Sequence, residues 1–253
     1  MTLYKYGYCS EVGIKKSVNQ DSLCIKNARL NNHDVLMAVV CDGMGGLSKG
    51  ELASASVIRA FSKWFETEMS NGVLSNNNIR AQWEQLIIRA NNKLWEYGNE
   101  NGISLGTTLT VILLIDKKEY VIAHVGDSRA YKISGKKIEQ ITEDQSYVAR
   151  EVKRGNITKE QANIYPGRNV LLQCIGASRT VEPEFYNGKI NNEGFLLCSD
   201  GFRHVVNETE IVEELGKSTI NCEKTDINLA LRKLVDLNMQ RGETDNITAI
   251  YIV

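Results

Sequence analysis

Four aspartates stand where an apolar run meets a turn, and carboxylates at such places can gather cations. Ala38-Val39-Val40-Cys41 runs into Asp42-Gly43, and Val121-Ile122-Ala123-His124-Val125 runs into Gly126-Asp127. Phe195-Leu196-Leu197-Cys198-Ser199 runs into Asp200-Gly201, while Asp245-Asn246 opens an apolar run over 247–253. Taken singly, each reads as a turn, because Asp-Gly is a strong turn signal. Jointly they ask for more. A sheet fixes where its strand ends point, so carboxylates on adjacent ends can converge, and converging carboxylates repel unless cations neutralise them. Oxygen-only ligands suit Mg²⁺ or Mn²⁺. A two-metal carboxylate site can acidify a water and clamp a phosphoryl group for in-line attack. Gly43, having no Cβ, could bring its carbonyl close to such an ion. The chemistry indicated is metal-assisted hydrolysis of a phosphoester.

The elements that must position these residues are written in the apolar patterning. Strands are expected at 35–41, 107–115, 120–125, 129–133, 195–198 and 247–253, rich in Val, Ile, Leu and Thr and closed by turn residues. Helices are expected at 51–69 and 79–97, where Val57, Phe61 and Trp64, then Trp83, Ile87, Ala90 and Leu94, recur at three- and four-residue spacing, and a third at 227–239. Consecutive long helices among many strands predict a layered α+β domain and not a strict βαβ alternation. The polar segment 143–168, closed by Tyr165-Pro166-Gly167, reads as a helical excursion on the surface.

Composition excludes several classes. With 253 residues the chain can bury a large core, and 30 basic against 31 acidic residues leave no basic footprint for nucleic acid. The six cysteines form no CxxC pair and no zinc-like spacing with the three histidines, so they read as small core hydrophobes. Met1–Ser10 lacks the apolar region of a leader, and no run reaches the length of a membrane span, which makes a cytoplasmic monomer the expectation. Only two prolines occur and no linker or repeat divides the sequence, so a single domain over 1–253 is expected.

The motifs, in order, resemble those of the type 2C protein phosphatases, the metal-dependent Ser/Thr phosphatases, and especially their compact bacterial members. Gly13-Ile14-Lys15-Lys16-Ser17-Val18-Asn19-Gln20-Asp21-Ser22 is similar to the family's opening block. Asp42-Gly43-Met44-Gly45-Gly46 followed by Gly50-Glu51, then Gly106-Thr107-Thr108 and Val125-Gly126-Asp127-Ser128-Arg129, continue the series. Ser199-Asp200-Gly201 and Gly242-Glu243-Thr244-Asp245-Asn246-Ile247-Thr248 close it.

The resemblance implies a four-layer αββα sandwich, two mostly antiparallel sheets flanked by helices, with a flap over about 143–170. It implies that Asp42 bridges two Mn²⁺ or Mg²⁺ ions and that the Gly43 carbonyl joins one of them. Asp200 and Asp245 would complete the first ion's shell, Asp21 would support the second through water, and Asp127 would share a third, weaker ion with Asp200. A bridging water would attack phosphoserine or phosphothreonine directly. No phospho-enzyme would form, in keeping with the absence of a cysteine-arginine phosphatase loop. The implied partners are phosphorylated proteins, with a cognate Ser/Thr kinase and its targets.

The chain departs from the family pattern in three ways. Lys16 stands where a phosphate-binding arginine is usual, giving a point charge in place of a planar fork. If the segment is extended, alternation turns only one of Lys15 and Lys16 to the cleft. Gln20 replaces a usual Glu, and Met44 and Leu47 occupy positions where many members carry a proton-donating histidine. Another bound water or His204 would then supply that proton, although His204 is expected to be an ordinary surface histidine. A turnover-deficient relative that binds phosphoproteins, and a two-metal hydrolase of nucleic acid or small phosphoesters, are the competing readings.

Overall fold

In the computed structural model, which describes residues 4–30, 32–44, 49–69, 75–217 and 224–253, the run His33–Cys41 is buried on both faces. Val35, Met37, Val39 and Cys41 point to one apolar cluster, and Leu36, Ala38 and Val40 to another. A strand with two dry faces must lie between two layers. That explains why its sequence shows no polar alternation.

In chain order the structure runs β1 (Tyr6–Glu11), β2 (Ser22–Leu30), β3 (His33–Cys41), α1 (Gly50–Glu68), α2 (Asn76–Asn101), β4 (Leu109–Ile115) and β5 (Glu119–Val125). It continues through β6 (Arg129–Ser134), β7 (Lys137–Gln140), α3 (Tyr147–Lys153), α4 (Lys159–Ile164), β8 (Glu184–Lys189), β9 (Gly194–Cys198), α5 (Glu208–Leu215), α6 (Lys224–Gln240) and β10 (Ile247–Ile252). The strands form two five-stranded sheets, ordered β1-β10-β9-β6-β7 and β2-β3-β4-β5-β8. Every pairing between these strands is antiparallel.

The layers follow from which residues share a cluster. Phe61, Trp64, Trp83 and Ile87 of α1 and α2 pack on β3, β4 and β5, with Trp83 edge-on to Phe61 and Trp64 at ring separations of 5.7 and 5.4 Å. Ile211 and Leu215 of α5 and Leu231, Leu234 and Val235 of α6 cover the outer face of β9 and β10. Between the sheets lie Val40, Ile112, Ile122, Phe195, Leu197 and Ile250. This is the expected αββα sandwich.

The six expected strands are β3, β4, β5, β6, β9 and β10, which are the central strands of the two sheets. The four that the patterning missed, β1, β2, β7 and β8, are the four edges. An edge strand pairs on one side and keeps more polar residues, which weakens its apolar signal. The short helix α5 was also missed. Its start is nevertheless locally encoded: Asn207 and Glu210 form a reciprocal capping box. The five described cysteines are free, and Cys222 lies outside the described residues. Among the described residues no helix is long and apolar enough to cross a membrane.

Candidate metal centre

The site lies where the ends of both sheets meet. Register places Ser22 opposite Cys41, so Asp21, just before β2, neighbours Asp42, just after β3. From the other sheet, Asp200 follows β9 and Asp245 precedes its neighbour β10. Asp127 sits in the turn from β5 to β6, where the chain crosses between the sheets. The five acidic residues come from strand ends far apart in sequence.

Their positions are fixed through the backbone. The Asp42 N–H donates to Thr108 Oγ1 at 2.9 Å, and the Asp42 carbonyl accepts from the Thr108 N–H and the Thr107 hydroxyl, each at 2.9 Å. Thr108 Oγ1 also lies 2.7 Å from Ser128 Oγ, beside Asp127. The Gly-Thr-Thr motif is thus a bracket for Asp42. At Gly43 a Cβ would stand 2.5 Å from the carbonyl oxygens of Gln20 and Gly50. Close backbone packing therefore demands this glycine, whatever its carbonyl does.

Burial and mutual repulsion mark the cluster electrostatically. Asp42 is pushed well above the usual carboxylate range, first by burial and then by Asp21, Asp200, Asp127 and Asp245. Burial raises Asp21 to about 7, with Asp200 and Asp245 adding to the rise against hydrogen bonds from Thr248 and Ser199. Asp127 is also raised to about 7, by burial and by Asp200, with Arg203 opposing. Asp200 goes the other way: burial would raise it, but His204 holds it below the usual range.

Two oxygens decide the fit to cations. Asp21 Oδ1 and Asp200 Oδ1 are buried with no hydrogen-bond partner, and an orphaned buried carboxylate oxygen is expensive to keep. An oxygen-only donor set with excess negative charge and unfilled lone pairs fits Mg²⁺ or Mn²⁺. Among the described residues no three acidic, histidine or cysteine side chains are yet gathered into a cage. Two of the carboxylates are instead held by the protein's own cations, Asp245 by Lys16 and Asp200 by His204.

A family model described as protein phosphatase 2C matches residues 13–237. The chain belongs to the protein phosphatase 2C family. It is a protein serine/threonine phosphatase, a phosphoric monoester hydrolase. This phosphatase is 33% identical over 228 residues to serine/threonine phosphatase stp of Listeria monocytogenes serotype 4b, covering 88% of this chain and 86% of that protein. Its structure is similar to Stp1 from Staphylococcus aureus, with TM-score 0.88, 31% identity and coverage of 100% and 95% of the two chains. It also resembles the catalytic domain of PstP in complex with two manganese ions, with TM-score 0.79, 27% identity and coverage of 98% and 97%.

Some residues of the phosphatase take places the sequence did not foretell. Residues 12–20 form a loop, so strand alternation does not set the facing of Lys15 and Lys16. Lys15 is exposed, whereas the Lys16 ammonium stands 3.1 Å from Asp245 Oδ1. His204 is not an ordinary surface histidine. Its Nε2 lies 3.2 Å from Asp200 Oδ2 and its Nδ1 3.4 Å from Glu243 Oε2. Burial would lower its pKa, but these two carboxylates raise it to about 10. Met44 is half-buried, and Leu47 lies outside the described residues.

Three supporting residues escaped the sequence reading. Asn246 accepts the Gln20 N–H at 2.8 Å and donates to the Val12 and Val18 carbonyls, tying the 12–20 loop to the Asp245 turn. Asp144 receives a two-pronged contact from Arg129, both bonds 2.7 Å, and lies 3.5 Å from Arg203, whose guanidinium donates to the Asp127 carbonyl. Asn246 sits inside the Gly242–Thr248 motif and Asp144 inside the 143–168 segment, but their partners are distant in sequence, so spacing could not assign them. Gln145 anchors the root of the 143–170 segment: its N–H donates to the Gly126 carbonyl and its Oε1 accepts from the Gly126 N–H. The segment holds α3 and α4, with Ser146 bridging to Leu171 at its base.

Proposed function

We propose that Asp42, the Gly43 carbonyl, Asp200 and Asp245 hold two Mn²⁺ or Mg²⁺ ions with Asp21 in support, and that phosphoserine or phosphothreonine is hydrolysed there by direct attack of water. When bound, such ions supply Lewis-acid chemistry, acidifying a water and offsetting the charge of the phosphoryl group. The observation that carries the reading is the meeting of Asp21, Asp42, Asp200 and Asp245 from two sheets, with Asp21 Oδ1 and Asp200 Oδ1 buried and unpartnered.

The chain's own residues then divide the work. Asp42, bracketed by Thr107 and Thr108, would serve both ions. His204 holds Asp200 and Glu243 in place, and Glu243 in turn accepts the Asp245 N–H at 2.8 Å. Lys16 contacts the substrate phosphate as a point charge. Asp127 and Asp200 share a third, weaker ion. Residues 1–253 work as one phosphatase unit whose flap, 143–170, shapes access for phosphorylated proteins. The substrates are the targets of a cognate Ser/Thr kinase, and the enzyme acts as a cytoplasmic monomer.

Dialysis against a chelator, then assay on a phosphothreonine peptide, tests the reading. Activity should vanish and return with Mn²⁺ or Mg²⁺, and zinc should be a poor substitute for an oxygen-only site. Full turnover in excess chelator would overturn it. A Lys16→Ala variant should raise KM for the peptide by roughly tenfold or more, since a charge-assisted hydrogen bond contributes about 1.5–3 kcal/mol, while Lys16→Arg should preserve it.

A further inference from the structure

The loop that carries Lys16 is packed against the turn that carries Asp245, which brings the Lys16 ammonium within 3.1 Å of Asp245 Oδ1. Asn246 Nδ2 donates to the carbonyls of Val12 at 2.8 Å and Val18 at 3.2 Å, on either side of Lys16. The Ile14 N–H donates to the Glu243 carbonyl at 3.4 Å. Gly13 has φ +81°, and a Cβ there would come within 2.1 Å of the Asp245 carbonyl oxygen, so the loop can lie this close only with glycine. The 12–20 loop and the 243–246 turn are therefore one packed unit that delivers the ammonium to the carboxylate.

The pair itself remains open. The Lys16 and Asp245 side chains are 31% and 35% exposed, and an ion pair so exposed to water is weak and easily exchanged. A divalent cation on Asp245 would compete with the ammonium for the same oxygen. Lys16 cannot neutralise Asp245 and grip a substrate phosphate at full strength at the same time.

We propose that Lys16 is the resident counter-ion of Asp245 and is freed for phosphate when a divalent cation takes that carboxylate. This rests on the reading of Asp245 as a cation ligand and Lys16 as the phosphate contact. Lys16 then weakens cation binding in the absence of substrate, and cation loading prepares phosphate capture. By linkage, phosphate held by Lys16 strengthens cation binding in return.

Calorimetric titration of Mn²⁺ into the chelator-treated full chain separates the possibilities without relying on turnover. Lys16→Gln should tighten binding of the Asp245-dependent ion by about two- to fivefold, the range expected for loss of a competing exposed pair. Lys15→Gln should match the wild type. Unchanged or weaker Mn²⁺ affinity in Lys16→Gln overturns the proposal, and so does equal tightening in both variants, which would be a general charge effect. Asp245→Asn separates the two layers of the reading. Loss of one ion upholds the ligand assignment even where Lys16→Gln fails, whereas wild-type affinity and stoichiometry in Asp245→Asn overturn the assignment and the counter-ion role together.

Discussion

Ser199 Oγ donates to Asp21 Oδ2 at 2.8 Å, joining the end of β9 in one sheet to the approach of β2 in the other. The same hydroxyl accepts the Thr248 N–H at 3.0 Å. One buried serine thus ties three of the strand ends that carry the acidic cluster. Removing it by Ser199→Ala strips Asp21 Oδ2 of this donor beside an Oδ1 that already has none, a loss of about 1–3 kcal/mol. Urea melts of the chelator-treated protein should show that loss, and Mn²⁺ affinity should fall because Asp21 is no longer oriented. Wild-type stability together with wild-type Mn²⁺ binding would show that the contact positions nothing.

Asp42→Asn should lower kcat by at least ~10³-fold, since a bridging ligand serves both ions. The fold should survive, because Asp42 lies at a strand end and its backbone bonds to Thr108 remain available. Circular dichroism and single-turnover kinetics check the two halves. A variant with a tenth of wild-type turnover would show that the centre has been misplaced.

Asp127 is the member of the cluster whose backbone carbonyl accepts a hydrogen bond from Arg203. Asp127→Ala should leave two Mn²⁺ ions bound and remove the weaker third, with a sharp fall in activity on phosphopeptides. Crystals soaked in Mn²⁺ or titration calorimetry count the ions. Persistence of all three would reduce Asp127 to a turn former.

Asp144 serves two half-buried guanidinium groups. Burial would raise its pKa, but the Arg129 hydrogen bond holds it below the usual carboxylate range. A lowered folded-state pKa contributes stability that is present above the unfolded value and lost as pH falls through the folded one. Asp144→Asn should therefore destabilise by about 3–5 kcal/mol at neutral pH, as for a broken buried pair, and should flatten the acid limb of the stability curve. Denaturant melts at stepped pH measure both. An acid limb as steep as the wild type would mean that other carboxylates set it.

The central strands, the long helices and the acidic residues at the strand ends are legible in the amino-acid sequence. Buried strands such as His33–Cys41 need apolar side chains on both faces, and α1 needs its stripe of Val57, Phe61 and Trp64, so local pattern and global burial agree. The motifs that contain Asp42 and Asp200 are likewise contiguous. The edge strands were illegible because one-sided pairing relaxes the demand for apolar residues. Tertiary structure alone decided the counter-charges. Whether Lys16 meets Asp245, His204 reaches Glu243, or Asp144 gathers Arg129 and Arg203 depends on sheet ends brought together from distant parts of the chain. Coulombic attraction falls off with distance in space, and for residues far apart in the chain their spacing carries no record of it.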